Sequence, residues 1–146
     1  MVTIRSIDNK TPSAELYTAA QVRALDQAII AGGVPGIQLM KRAAKAAFEV
    51  LLERFGQPDF IQVYAGGGNN GGDGYVLAGL AAERRIPVEV IAVVAPEKLT
   101  GDAQLAWQFA LQAGVSIRSF ADATTPSSGV VVDALLGIGF SGELRP

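Results

Sequence analysis

The residues best suited to chemistry lie in one short run, Tyr64-Ala-Gly-Gly-Gly-Asn-Asn-Gly-Gly-Asp-Gly74, which holds six of the chain's 17 glycines. Glycines let backbone N–H groups approach an anion closely, and a helix after such a loop adds the positive end of its dipole. Asn69, Asn70 and Asp73 add polar side chains that a plain connecting turn does not need. The run predicts a cradle for phosphate or pyrophosphate, and a merely flexible connection is the less favoured alternative.

Two familiar nucleotide-binding motifs do not describe this run. The order Gly66-Gly-Gly-Asn-Asn-Gly71 lacks the helix-packing glycines of the dinucleotide fingerprint. No acidic residue closes the strand predicted next, which ends in Val94-Ala95, as that fingerprint requires. A Walker loop is excluded because the chain contains no Gly-Lys-Ser or Gly-Lys-Thr. The run is therefore a different kind of glycine-rich loop.

The available side chains restrict the chemistry to oxygen and amine groups. The chain has no histidine and no cysteine, which removes the commonest general base, thiolate nucleophiles and the commonest transition-metal ligands. Proton transfer must then use Asp, Glu, Lys, Tyr or water. A bound metal must be a hard cation held by oxygen, and a site with one carboxylate and an Asn carbonyl suits a weakly charged cation better than Mg²⁺.

A second group of polar residues and glycines follows the apolar run Gly129-Val-Val-Val-Asp133. A carboxylate at the end of a buried strand needs a cation or hydrogen-bond donors, and the alternative is a turn carboxylate satisfied by the backbone. The cluster Gly137-Ile-Gly-Phe-Ser-Gly142 comes next and indicates a second phosphate-binding edge. Asp73 has a competing role, because it is a good N-cap for the helix predicted from Tyr75; capping and ligand contact are compatible.

The elements that must position these residues alternate between helix and strand. A capping box, Thr18-Ala-Ala-Gln21, opens the first predicted helix. Helices are predicted up to residue 32 and over 36–55, 75–85 and 101–113, and strands over 60–65, 87–94, 115–120 and 129–134. This pattern predicts a Rossmann-like, doubly wound α/β fold: a mainly parallel sheet with helices on both faces, preceded by two N-terminal helices. Ligands bind such folds at the carboxyl ends of the strands.

Composition narrows the class of protein further. Residues 1–14 are polar and aperiodic and predict a flexible tail, which leaves 15–146 as one domain. Apolar residues make up 49% of the chain and the net charge is −2, which argues against disorder and gives no electrostatic footprint for nucleic acid. No run approaches the roughly 20 apolar residues of a membrane span. The N-terminus lacks a signal pattern, so we expect a cytoplasmic protein without a membrane partner.

Taken together, two motifs resemble those of the NAD(P)H-hydrate epimerase family, which carries the YjeF N-terminal domain. They are Asn69-Asn-Gly-Gly-Asp-Gly74 and Val131-Val-Asp-Ala-Leu-Leu-Gly-Ile-Gly-Phe-Ser-Gly142. The opening helix, Tyr17-Thr-Ala-Ala-Gln-Val-Arg-Ala-Leu-Asp26, is similar as well, so the resemblance covers residues 15–146. It implies an isomerase that interconverts the R and S forms of NADHX and NADPHX. These are damaged nicotinamide cofactors with water added to the ring.

The resemblance also implies roles for individual residues. It implies one potassium ion per subunit, held by Asn70 and Asp133. The principal catalytic Asp is expected beyond Pro146, so the domain is expected to be incomplete at its C-terminal end. The residues implied to bind substrate are Asn69, Asn70, Gly71, Gly72 and Asp73 in the first motif and Gly137, Ile138, Gly139, Phe140, Ser141, Gly142 and Glu143 in the second.

The resemblance and the apolar N-terminal helices also suggest partners for this domain. In many bacteria the domain is fused to an ADP- or ATP-dependent hydrate dehydratase, and the apolar N-terminal helices leave room for a homodimer interface. The alternative is a non-catalytic nucleotide-binding or scaffold module on the same fold. The four polar residues Asn69, Asn70, Asp73 and Asp133 favour the enzyme, because a scaffold has no evident use for all of them.

Overall fold

The computed structural model describes residues 17–138. The predicted tail at 1–14 and five predicted substrate-binding residues, Gly139, Phe140, Ser141, Gly142 and Glu143, lie outside this range. The helices are α1 (Ala19–Ala31), α2 (Gly36–Phe55), α3 (Asn69–Glu83) and α4 (Gly101–Gln112). The strands are β1 (Ile61–Ala65), β2 (Val88–Ala92), β3 (Ser116–Ser119) and β4 (Val130–Ala134).

The local signals at the start of the chain are confirmed by the hydrogen bonds of α1. The Gln21 N–H donates to Thr18 Oγ1 at 3.3 Å, and the Thr18 N–H donates to Gln21 Oε1 at 2.8 Å. These reciprocal bonds form the predicted capping box. Within residues 17–138, no helix has the length and apolar character needed to cross a membrane.

The four strands of the described range form one parallel sheet in the order β3-β2-β1-β4. The chain runs outward from β1 to β3 and then returns to place β4 on the other side of β1. This reversal confirms the predicted doubly wound α/β class, and it creates a topological switch point between β1 and β4. Ala65 pairs with Ala134 there, so the two strands that lead into the glycine clusters end side by side.

Helix α3 is the centre of the layer that covers one face of the sheet. It packs over β1 between α2 and α4, and its Gly79 lies against the ring of Phe109. Buried side chains such as Phe48 and Val63 fill the space between these helices and the strands. In the described range the other face carries the segment 120–129, which the buried Gln62 holds by donating to the Thr124 carbonyl at 2.7 Å. Within residues 17–138 the α-helices packed on the sheet therefore cover one face, whereas helices were predicted on both faces.

Candidate functional site

The first glycine run forms the end of β1, a short connection and the start of α3. Helix α3 begins at Asn69, with Gly68 as its N-cap. The glycines had led to a predicted start at Tyr75, so the helix begins six residues earlier than predicted. The first helical hydrogen bond runs from the Gly72 N–H to the Gly68 carbonyl at 3.0 Å, and no side chain caps the helix. The amides of 69–71 are therefore the orphan donors of the first turn, which is the arrangement that binds an anion.

Close packing explains four glycines of this run. A Cβ atom added to any of them would lie nearer to a neighbouring atom than real Cβ atoms do: Gly66 meets the Leu135 carbonyl, Gly71 the Gly66 carbonyl, Gly72 the Met40 side chain and Gly74 the Ala134 side chain. These glycines let α3 sit tightly against β1, β4 and α2. Gly67 is exposed and Gly68 has open space around it, so these two remain free for close approach by a ligand.

Three of the predicted polar residues come together at a cavity of about 290 Å³ beside the switch point. Asn70 and Asp73 reach it from α3 and Asp133 from β4, while alanines of α2 form an apolar wall. The described start of the second motif lies at the same place, because a Cβ atom on Gly137 would lie 3.1 Å from the Asn70 Cβ atom. Residues separated by more than sixty positions in the sequence therefore meet here.

The carboxyl group of Asp73 is the most perturbed acid of this site. It lies in the second turn of α3, so the alternative interpretation of Asp73 as an N-cap is wrong. Burial, and secondarily the charge of Asp26, raises its pKa from 3.8 to about 6. A carboxyl group with such a pKa can exchange a proton close to neutral pH.

Asp133 is more exposed than its position on an apolar strand indicated. Strand β4 ends at Ala134, as predicted, but the Asp133 side chain is exposed and not buried. Its Oδ1 accepts a hydrogen bond from the Leu135 N–H at 3.0 Å. One carboxylate oxygen is thus satisfied by the backbone of the following turn, which was the alternative role considered for Asp133. The other oxygen has no hydrogen bond to the described residues.

The donor set of the cavity fits a hard cation. Asn70 offers an amide oxygen and Asp133 a carboxylate at the same cavity. Between residues 17 and 138 there is no cluster of three acidic side chains that could hold a metal ion. With Asp73, the cavity has two carboxyl groups and one amide, a donor set made of oxygen that suits a hard cation.

Two residues near the site were not among the predicted site residues. Arg23 on α1 donates from Nη1 to the Ile138 carbonyl at 3.4 Å, and Asp26 on the same helix is close enough to influence Asp73. Residues three apart lie on one face of a helix, so one side of α1 is directed at the site. The only feature of the sequence that pointed to Arg23 and Asp26 was the similarity of the segment 17–26 to the family's opening helix.

The fold and the site define a Rossmann-like α/β domain with an uncapped helix N-terminus and clustered polar side chains beside its topological switch point. The chain belongs to the family of the YjeF-related protein N-terminus, whose sequence profile matches residues 36–146. The resemblance seen in the two motifs is thereby confirmed.

Individual relatives agree with this assignment. The chain is 39% identical over 130 residues to the bifunctional NAD(P)H-hydrate repair enzyme Nnr of Coxiella burnetii. This alignment covers 89% of this chain and 27% of that protein. It is 34% identical over 133 residues to the NAD(P)H-hydrate epimerase of Rhodopirellula baltica, covering 88% of this chain and 54% of that protein. The chain thus spans between about a quarter and about half of these relatives.

A solved structure supports the fold independently. The crystal structure of the yeast protein ynu0 (YNL200c) superimposes with a TM-score of 0.73 at 22% sequence identity. The match covers 89% of this chain and 60% of the yeast chain. At this identity the likeness confirms the fold alone.

Proposed function

We propose that this chain provides the substrate site for epimerisation of the R and S forms of NADHX and NADPHX. The observation that carries the proposal is the convergence of Asn70, Asp73 and Asp133 on one cavity between α2, α3 and β4, beside the switch point. Doubly wound folds bind their ligands at the carboxyl ends of the strands next to such a point. Relatives that cover most of this chain are named NAD(P)H-hydrate epimerase or bifunctional repair enzyme.

The proposed binding mode uses backbone and side chains for different parts of the substrate. The amides at the start of α3, with Gly67 and Gly68 before them, bind the pyrophosphate, because orphan N–H groups and the helix dipole both favour negative charge. Asn69, Asn70 and Asp73 contribute side chains, whereas the buried Gly71 and Gly72 contribute only backbone. Gly137 and Ile138 begin the second edge of the site.

We infer one potassium ion per subunit, with the Asn70 amide oxygen and the free oxygen of Asp133 among its ligands. When bound, it would supply positive charge and order the two loops, and it would not act as a strong Lewis acid. These two ligands carry one carboxylate between them, which favours a monovalent ion over a divalent one.

The proposed reaction needs a carboxyl group that changes its protonation state. The protonated carboxyl donates its proton to the ring hydroxyl, water leaves, and the lone pair of the ring nitrogen stabilises the resulting iminium cation. Water then adds to the opposite face as the carboxylate accepts a proton. Asp73, with its pKa near neutral, is suited to hold this proton, together with the principal Asp that the resemblance implies beyond Pro146. Negative charge beside the ring stabilises the cationic intermediate.

One observation favours the alternative of a non-catalytic nucleotide-binding module. Four glycines of the first motif are explained by packing of α3, so their presence does not require a substrate. The two functions differ in ligand preference, because a module would bind NAD or ADP as well as the hydrate.

The test is the rate of conversion of purified R-NADHX to its S form, followed by chromatography. It is measured for this chain and for a version extended to the length of the Rhodopirellula relative, with potassium or sodium as the only cation. Faster conversion than the uncatalysed rate, dependent on potassium, supports the epimerase. Nucleotide binding without faster conversion by either version overturns it in favour of the module.

A further inference from the structure

Helix α1 is held to the rest of the protein by few contacts. None of its residues is buried, and it precedes residue 36, where the match to the family profile begins. A turn at Gly32 and Gly33 joins it to α2, and Gly33 has a φ of +98° that glycine adopts readily. Packing alone therefore does little to fix the position of α1, and polar contacts gain importance.

The start of the second loop is also weakly packed. Leu136 is 53% exposed and Ile138 is 64% exposed, so their side chains add little burial that could anchor the backbone. Before them, the Leu135 N–H is bound by Asp133. After them, the Ile138 carbonyl accepts the hydrogen bond from Arg23. The segment is thus held at both ends by polar contacts, and one of these comes from α1.

We propose that Arg23 of α1 is a positioning residue of the substrate site, which holds the backbone of Gly137 and Ile138 beside Asn70. Its effect on kinetics rests on the proposed function, whereas its effect on the loop does not. A guanidinium group suits this role because it offers several N–H donors in a fixed plane. The nearby Asp26 supports the placement of α1, since its charge reaches Asp73.

The proposal predicts that Arg23→Ala loosens the loop without disturbing the chemistry. Loss of a charge-assisted but exposed hydrogen bond should shift the equilibrium between the held and the released loop by about three- to tenfold. We expect hydrogen exchange of the Leu135 amide, which donates to Asp133, to accelerate by about that factor as the loop loosens. KM for R-NADHX should rise by a similar factor, while kcat stays within about twofold. Arg23→Lys retains one donor and should restore part of the loss.

Arg42→Ala is the matched control, because Arg42 is an exposed arginine of α2 with no hydrogen bond or ion pair to another described residue. Equal exchange of the Leu135 amide in the Arg23→Ala and Arg42→Ala variants would overturn the proposal. So would a fall in kcat with an unchanged KM. If the unsubstituted protein shows no epimerisation, the proposed function fails, but the exchange comparison still decides the role of Arg23.

Discussion

Replacing Asp73 by Asn should stabilise the protein above pH 6 and have no effect below about pH 4. Burial raises the pKa of Asp73 from 3.8 to about 6 in the folded state, so between these values the folded protein binds more protons than the unfolded chain. Stability contributed by this group therefore falls as the pH rises through this window and stays low above it. Asn has nearly the same shape and carries no charge, so it removes the cost.

The magnitude follows from the size of the pKa difference. About two pKa units correspond to roughly 3 kcal/mol at 1.36 kcal/mol per unit. Asp73 is only partly buried, and solvent screening reduces the value, so we expect a gain of about 1–2 kcal/mol at pH 8. Asp26→Asn should give a smaller gain, because the charge of Asp26 is the second cause of the shift.

Urea denaturation followed by circular dichroism at pH 4, 6 and 8 measures this gain as the difference between the variant and the unsubstituted protein. Asp59→Asn, at an exposed carboxylate outside the cavity, is the control for removing one negative charge. Equal stabilisation by Asp73→Asn at pH 4 and pH 8, or no gain over the control at pH 8, would show that burial of the charged carboxylate does not cost stability.

Two further predictions concern the packing and the cation of the site. Gly74→Ala should cost about 1–3 kcal/mol in urea denaturation, because its Cβ atom would lie 2.6 Å from that of Ala134. Gly68→Ala, which has open space and a φ of −102°, should cost less than about 1 kcal/mol; equal losses would contradict the packing argument. Asp133→Ala should weaken both substrate binding and the dependence of the rate on potassium, measured by titrating each, and unchanged values for both would remove Asp133 from the proposed ion site.

Much of the fold could be predicted because local signals and tertiary packing agree. Helix α2 has the predicted bounds, Gly36–Phe55: Pro35 precedes its first turn, and Gly56 ends it with a φ of +68°. The start of α3 was missed because glycine disfavours helix. In the structure, close packing of Gly71, Gly72 and Gly74 outweighs this propensity.

The site was predictable only where it depends on the strands. Parallel strands end at the same edge of a sheet, so residues after β1 and on β4 could be expected near one another. The role of α1 could not be predicted in this way. Arg23 meets Ile138 across 115 residues of sequence, and the position of a helix without buried residues depends on tertiary contacts that periodicity does not encode.

The proposed substrate site lies at the carboxyl ends of β1 and β4, where α3 begins. It is tested most directly by following the backbone amide signals of the protein by NMR while R-NADHX is added. The largest shifts are expected at Gly67, Gly68, Asn69 and Asn70 and at Gly137. A second cavity, lined by Gly56, Gln57 and Arg84 among others, is separate from this site. Shifts confined to that second cavity, with none at the start of α3, would show that the substrate binds elsewhere.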